Sequence, residues 1–369
     1  MDETRNNLRR VAVKIGSNVL SRPDGRLDIT RMSALVDQVA ELRAAGVEVI
    51  MISSGAVAAG RSELSEAAGH RLDSVSARQL FSAVGQAKLI DRYVQLFREH
   101  GIVCGQVLTT KENFATRHHY LNQHNCMEVM LREGVVPIVN ENDTVSVTEL
   151  MFTDNDELSG LIAMMMNCER LVILSNIDGI FTGNPADEGS RLIERVAPGE
   201  DLSRYISSAR SGLGRGGMTT KYNIARKVAD AGIEVIIANG KREHILTDLL
   251  LNRGAAPSTR FEASEHAASS LKRWLASSGS FAKGSLKLNA DAARTLRERP
   301  GTSLLPVGVI AAEGDFSAGD IVSICGPDDT VIAWGRISTS TEQVRRRLGQ
   351  PGGRPLVHAD YLYINEIQG

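Results

Sequence analysis

Short β-branched runs alternate with segments of helical period from Leu8 to about Gly240, and this alternation restricts the chain to βαβ units wound about an open, mainly parallel sheet with helices on both faces. Arg10–Ile15 reads as the first strand. Met32, Leu35, Val36, Val39 and Leu42 then recur at helical spacing, Gly46 suits a C-cap, and Val47–Ile52 is the second strand. Further strands are predicted at Ile102–Leu108, Val135–Val139, Leu171–Leu174 and Glu234–Ala238, with a helix from Gln86 to about Glu99 stopped by Gly101.

At 369 residues the chain exceeds what one hydrophobic core usually organises. After Leu251 the texture changes, and from Lys283 onward short apolar pieces sit between Gly, Pro and Asp turns. The expected organisation is a large α/β domain over 1–255, a linker over 256–282 and a small β-rich domain over 283–369. A formal net charge of −2 gives no general attraction to nucleic acid or to an anionic membrane. The polar N-terminus and the lack of an apolar run near the ~18 residues needed to span a bilayer predict a cytoplasmic protein. Cys104, Cys126, Cys168 and Cys325 form no CxxC pair, and His118, His119 and His124 lack metal-ligand spacing, so no metal site is expected.

Three loops join glycine to hydroxyl residues directly after apolar runs, where open α/β sheets bind ligands. VKIGSN (Val13–Asn18) puts Lys14 at a strand end; a solvated surface lysine is the plainer account. SSGAVAAG (Ser53–Gly60) leads from a strand through a glycine turn into a helix start, where an anion is favoured, or where a serine merely caps the helix. SGLGRGGMTTK (Ser211–Lys221) can wrap triphosphate oxygens with backbone N–H groups while Lys221 supplies a point charge, or it is a flexible surface loop. Its GxGxxG match lacks the preceding strand of a dinucleotide fingerprint. A fourth constellation, NENDTV (Asn140–Val145) with FTDNDELSGLIA (Phe152–Ala163), offers side chains for an ammonium group. Helix capping explains one of Asp154 and Asp156, not both.

In this order, VKIGSN, SSGAVAAG, NENDTV, FTDNDELS, SNIDGIF and GLGRGGMTTK resemble the glutamate 5-kinase family of the amino acid kinase superfamily, and the segment from Gly301 looks like a PUA domain. The resemblance implies ATP-dependent phosphorylation of the γ-carboxylate of L-glutamate, the first step toward proline, with Mg²⁺ carried by ATP. It implies that Ser54, Asp143 and Asn155 bind glutamate, and that Lys14 and Lys221 neutralise phosphates, oriented by Asp156. Ser175, Asn176 and the run Arg215, Gly216, Gly217, Met218, Thr219, Thr220 and Lys221 would line the nucleotide site. A homo-oligomer, dimer or tetramer, and a partnership with glutamate-5-semialdehyde dehydrogenase are also implied. Departures from the family pattern are Ser175-Asn176 for Thr-Asp, Arg215 for Thr, Asn184-Pro185 for Asp-Pro and Asn289 for Asp.

Three alternatives stay open. Aspartate or N-acetylglutamate kinase is the nearest within the superfamily. The PUA-like segment raises RNA binding, which its charge opposes: Lys283–Gly369 holds ten Lys plus Arg and ten Asp plus Glu. An NAD-dependent oxidoreductase would rest on the GxGxxG match alone.

Overall fold

In the computed structural model the described residues are 8–64, 72–115, 117–145, 152, 154–206, 217–252, 255–265, 282–299 and 301–364. The chain divides into two compact units, Met1–Thr110 with Cys126–Ala267, and Lys111–Asn125 with Ala268–Gly369.

The first unit is built on eight strands: β1 (Arg10–Ile15), β2 (Glu48–Ser53), β3 (Cys104–Thr109), β4 (Val136–Glu141), β5 (Arg170–Ser175), β6 (Arg195–Val196), β7 (Glu234–Asn239) and β8 (Ser258–Phe261). Their order is β3-β4-β2-β1-β5-β7-β8-β6, and all pairs are parallel except β7 with β8. The sheet therefore runs past residue 255: Ser258–Phe261, placed in a linker by its polar texture, completes backbone pairing along the edge of β7. Residues 266–281 of that predicted linker lie outside the described residues.

The helices used below are α1 (Ile29–Ala44), α2 (Ala56–Glu63), α3 (Ser74–Glu99), α4 (Arg117–Arg132), α5 (Asn155–Met165), α6 (Met218–Asp230) and α7 (Ile245–Leu251). Asp28 caps α1 by accepting from the Arg31 amide, and its apolar stripe packs with α7 on one sheet face. Helix α3 begins at Ser74, twelve residues before the predicted Gln86, with Asp73 accepting from the Val75 and Ser76 amides. Polar residues in its first half hid the helical period. Where α2 crosses α3, a Cβ on Gly60 would strike the Phe81 backbone, and one on Gly85 would strike the Ala56 carbonyl. Only glycine admits this approach.

The second unit carries β9 (Gly284–Leu288), β10 (Val309–Gly314), β11 (Ile321–Cys325), β12 (Val331–Arg336) and β13 (Leu362–Ile364), in the order β10-β9-β11-β12-β13. Leu286, Leu288, Val322, Ile324, Val344 and Leu356 form its own core. Asn289, the departure noted above, caps the helix Ala290–Glu298 by accepting from the Ala292 amide at 2.8 Å, a task Asn and Asp perform about equally.

Candidate active site

Val11, Val13 and Ile15 of β1 pack into the core shared with α1 and α7. The two-residue period of a strand then sends Lys14 to the other face, over which α5 begins. Asp154 is the N-cap of α5, its Oδ1 accepting from the amides of Asp156 at 2.9 Å and Glu157 at 3.0 Å. Capping thus occupies one carboxylate of the DND run and leaves the other for different work. Asp156 is 1% exposed, with Lys14 Nζ 2.5 Å from its Oδ1 and Lys221 Nζ donating to its Oδ2 at 3.0 Å.

Lys221 comes from the first turn of α6, which lies against α5 so closely that a Cβ on Gly160 would sit 3.0 Å from both Ile224 and Val228. Burial pushes the Asp156 carboxyl up, but the charges of Lys14 and Lys221 outweigh it, and the group lies below its ordinary value. Asp154 goes the other way, raised first by burial and then by the Asp156 charge. Its Oδ2 is buried without a hydrogen-bond partner among the described residues. Lys14 and Lys221 thus place two ammonium groups on one carboxylate, and cations are what attract a phosphoryl group.

On the neighbouring strand, Gly55 with φ of +105° is the N-cap of α2 and makes no side-chain cap. The Ser54 hydroxyl is therefore not spent on capping; it accepts from Asn155 Nδ2 at 2.9 Å. The same Nδ2 lies 3.1 Å from Asn140 Oδ1, which also accepts from the Glu141 amide. Asp143, on the turn after β4, is held from α3: Arg78 donates to its Oδ1 and Ser82 donates to its Oδ2 at 3.4 Å.

On the other side of Lys14, the ends of β1, β5 and β7 are laced together. The Gly16 amide donates to Leu174 O at 3.1 Å and the Gly240 amide to Ser175 O at 2.8 Å. Ser175 is buried and donates to Asn176 Oδ1 at 3.4 Å, while Asn176 itself is exposed. Asn184, another departure, forms a turn by accepting from the Ala186 amide. Gly217 is the N-cap of α6 and supplies no side-chain cap to the amides of the opening turn, Met218, Thr219 and Thr220. Arg215 and Gly216 lie outside the described residues.

The structure thus joins Lys14, Asp156 and Lys221, and joins Ser54 to Asn155. It places Ser175, Asn176 and Gly217–Thr220 at the ends of the elements flanking them. Asp143 engages α3 and makes no recorded contact with Ser54 or Asn155. Sequence reasoning passed over Asn140 as a partner of Asn155, and over Arg78 and Ser82. The available signal is the helical spacing of polar residues at 78, 82 and 86.

The amino acid kinase family model matches residues 9–239, and the PUA domain model matches residues 284–353. The chain belongs to the amino acid kinase family. Carbamate kinase from Giardia lamblia bound to AMP-PNP shares its fold, with a TM-score of 0.53 at 15% identity over 70% of this chain and 100% of that one. Within the family, its curated relatives include two glutamate 5-kinases. That of Bacteroides thetaiotaomicron is 60% identical over 355 residues, 96% of this chain and 98% of that protein. That of Chlorobaculum tepidum is 45% identical over 358 residues, 96% of this chain and 97% of that protein.

Proposed function

We propose that the chain catalyses ATP-dependent phosphorylation of the γ-carboxylate of L-glutamate, giving γ-glutamyl phosphate and ADP. The observation that carries this reading is the convergence of Lys14 and Lys221 on Asp156, beside the Ser54–Asn155 pair. The relatives named glutamate 5-kinase, matched over nearly their whole length, support glutamate over aspartate or N-acetylglutamate.

The chemistry needs little from the protein beyond placement and charge. A γ-carboxylate with an ordinary pKa of ~4.3 is ionised at neutral pH, so no general base is required. One of its oxygens attacks the γ-phosphorus of ATP, that P–O bond forms, the bond to the bridging oxygen breaks, and ADP departs with the electron pair. Two anions must be brought together, and charge accumulates on the phosphoryl oxygens. Lys14 and Lys221 offset that charge, with Asp156 holding both ammonium groups, one on each carboxylate oxygen. Ser54, Asn155 and Asp143 take the amino acid; Ser175, Asn176, Arg215, Gly216 and the first turn of α6 take the nucleotide.

Among the described residues no group of three or more His, Cys, Asp or Glu side chains is arranged to hold a metal ion. The donors around Asp156 are ammonium groups, which suit phosphate oxygens and repel a free cation. Mg²⁺ accordingly enters with ATP as part of the substrate, where it neutralises phosphate charge.

The product is a mixed anhydride that water hydrolyses, which favours direct hand-over to a reductase such as glutamate-5-semialdehyde dehydrogenase, in the cytoplasm, from a homo-oligomeric enzyme. Among the described residues no helix is long and apolar enough to cross a membrane. ADP release measured across glutamate, aspartate and N-acetylglutamate tests the substrate. Glutamate should be turned over at least tenfold faster per kcat/KM; comparable rates with aspartate would overturn the assignment.

A further inference from the structure

Three residues one helical turn apart on α3, Arg78, Ser82 and Gln86, all reach the segment that ends β4. Arg78 Nη2 donates to Glu141 Oε2 at 3.0 Å and also to Asp143 Oδ1. Ser82 donates to Asp143 Oδ2 at 3.4 Å, and Gln86 donates to the Glu141 carbonyl at 3.3 Å. Gln79, adjacent on the same helix, donates to Thr144 O at 2.9 Å. This polar face lies on the same helix that buries Phe81, Leu89, Tyr93 and Phe97, and its partners are the buried carboxylates Glu141 and Asp143, which need a cation beside them.

The charges show what the stripe does. Glu141 and Asp143 are both buried, two residues apart on one segment, and would repel each other. One guanidinium lies between them. A carboxylate held in place in this way is what a bound ammonium group needs opposite it. Glu141 also ties down a second stretch of the site, since its Oε1 accepts from the Phe152 amide at 3.0 Å, just ahead of the Asp154 cap and Asn155. Arg78 therefore fixes the acceptor for the ammonium group and, through Glu141, the approach to α5.

We propose that Arg78 is a positioning residue that acts through Asp143 to make the amino-acid pocket select for a substrate α-ammonium group. This rests on the reading of Asp143 as a glutamate contact. Without the guanidinium, Asp143 would lose its fixed rotamer and be repelled by Glu141, and the pocket would no longer favour an amino acid over its deaminated analogue. Phosphoryl transfer, organised on Asp156, would be little affected.

The test uses the full-length enzyme with Arg78→Met, Arg78→Lys, Asp143→Asn and the double variant Arg78→Met with Asp143→Asn, each checked by thermal unfolding. For Arg78→Met, glutamate KM should rise about 10- to 100-fold, with kcat and the KM for ATP within about threefold of the parent. Inhibition by glutarate, which lacks the amino group, should change far less, so the ratio of glutarate Ki to glutamate KM collapses. Arg78→Lys should recover most of the loss. The double variant should be little worse than Asp143→Asn alone, because both remove one function. Should Arg78→Met not fold, the partial KM defect of Arg78→Lys and its own double-mutant cycle carry the same comparison. An Asp143→Asn defect with an unaltered Arg78→Met ratio overturns the role of Arg78. A normal glutamate KM in Asp143→Asn removes the underlying reading of the pocket, and the proposal with it.

Discussion

The two ends of the large sheet are both lined with cations beside carboxylates, and they are organised in opposite ways. At the strand starts, Arg10 of β1 bonds Glu48 of the adjacent β2 at 2.7 Å and also Glu128 of α4, and Arg170 of β5 pairs with Glu234 of β7 at 2.5 Å. Arg260 of β8 reaches the same Glu234 at 3.5 Å. These side chains are partly solvated and sit on neighbouring strands in register, so they match one another. At the strand ends the participants are nearly dry, with Lys14 and Asp156 exposing 7% and 1% of their side chains; two cations share the single Asp156 carboxylate, and the neighbouring Asp154 carboxylate has no cation of its own among the described residues. The first edge is electrostatically closed and serves pairing. The second buries its charges without matching them one to one, and a structural role alone would not keep such an arrangement.

The sharpest way to break that contrast is to remove a cation at the strand ends. Lys14→Ala or Lys221→Ala should lower kcat by about 10²- to 10³-fold, since a group aimed at charge in the transition state is lost, while glutamate KM moves by less than about threefold. Steady-state ADP release reads both parameters. An unchanged kcat would take the lysines out of the chemistry and reduce the triad to an unusual ion pair.

Next in size is the amino-acid side of the same edge. Asp143→Asn or Asn155→Ala should raise glutamate KM about tenfold or more and leave most of kcat, because these contacts exist in the ground state as well. A normal KM for both would place the amino acid elsewhere on the sheet.

The opposite edge should respond in stability alone. Glu234→Gln weakens the pairs with Arg170 and Arg260 and should cost about 1 kcal/mol in urea unfolding, as expected for partly solvated ion pairs, with kcat and KM unchanged. A kinetic defect there would show that the two edges are coupled and that the contrast is wrong.

How far this contrast was visible in the sequence follows from the range of the interactions involved. Strand β1 is legible with its true bounds because burial on both faces leaves the apolar run Val11–Val13, closed by Ile15 one residue past Lys14. Lys14 stood out only as a charge ending that run; its partner lies 142 positions further on, and no local pattern specifies such a pairing. The DND run was ambiguous between capping and chemistry, and the structure divides it, Asp154 to the cap and Asp156 to the lysines. The first half of α3 was lost for an informative reason: Arg78, Gln79 and Ser82 break the apolar period because they serve the Asp143 segment. The strand-start ladder left no motif, since isolated Arg and Glu residues at strand ends look like any solvated surface. Strand β8 was hidden by its polar composition, S-T-R-F, and it belongs to the sheet through backbone bonds to β7.

The smallest expected effect lies beside the largest, at Asp154. Burial and the Asp156 charge hold its carboxyl above the ordinary value, so the native state keeps a proton at pH values where the unfolded chain has already lost it. Stability therefore declines as pH rises from the unfolded value through the native one, and the whole penalty is present above both. Asp156 has the opposite sign: lowered by its lysines, it contributes stability above the ordinary carboxylate range and loses it only as pH falls through its native value. Asp154→Asn keeps an oxygen for the amides of Asp156 and Glu157 and removes the misplaced charge. Urea unfolding at pH 7 should show the variant more stable by about 0.5–1 kcal/mol, a gain that shrinks as pH is lowered toward the ordinary carboxylate value. A variant no more stable than its parent at pH 7, or one whose advantage persists unchanged in acid, would mean that the buried edge does not store electrostatic cost at Asp154.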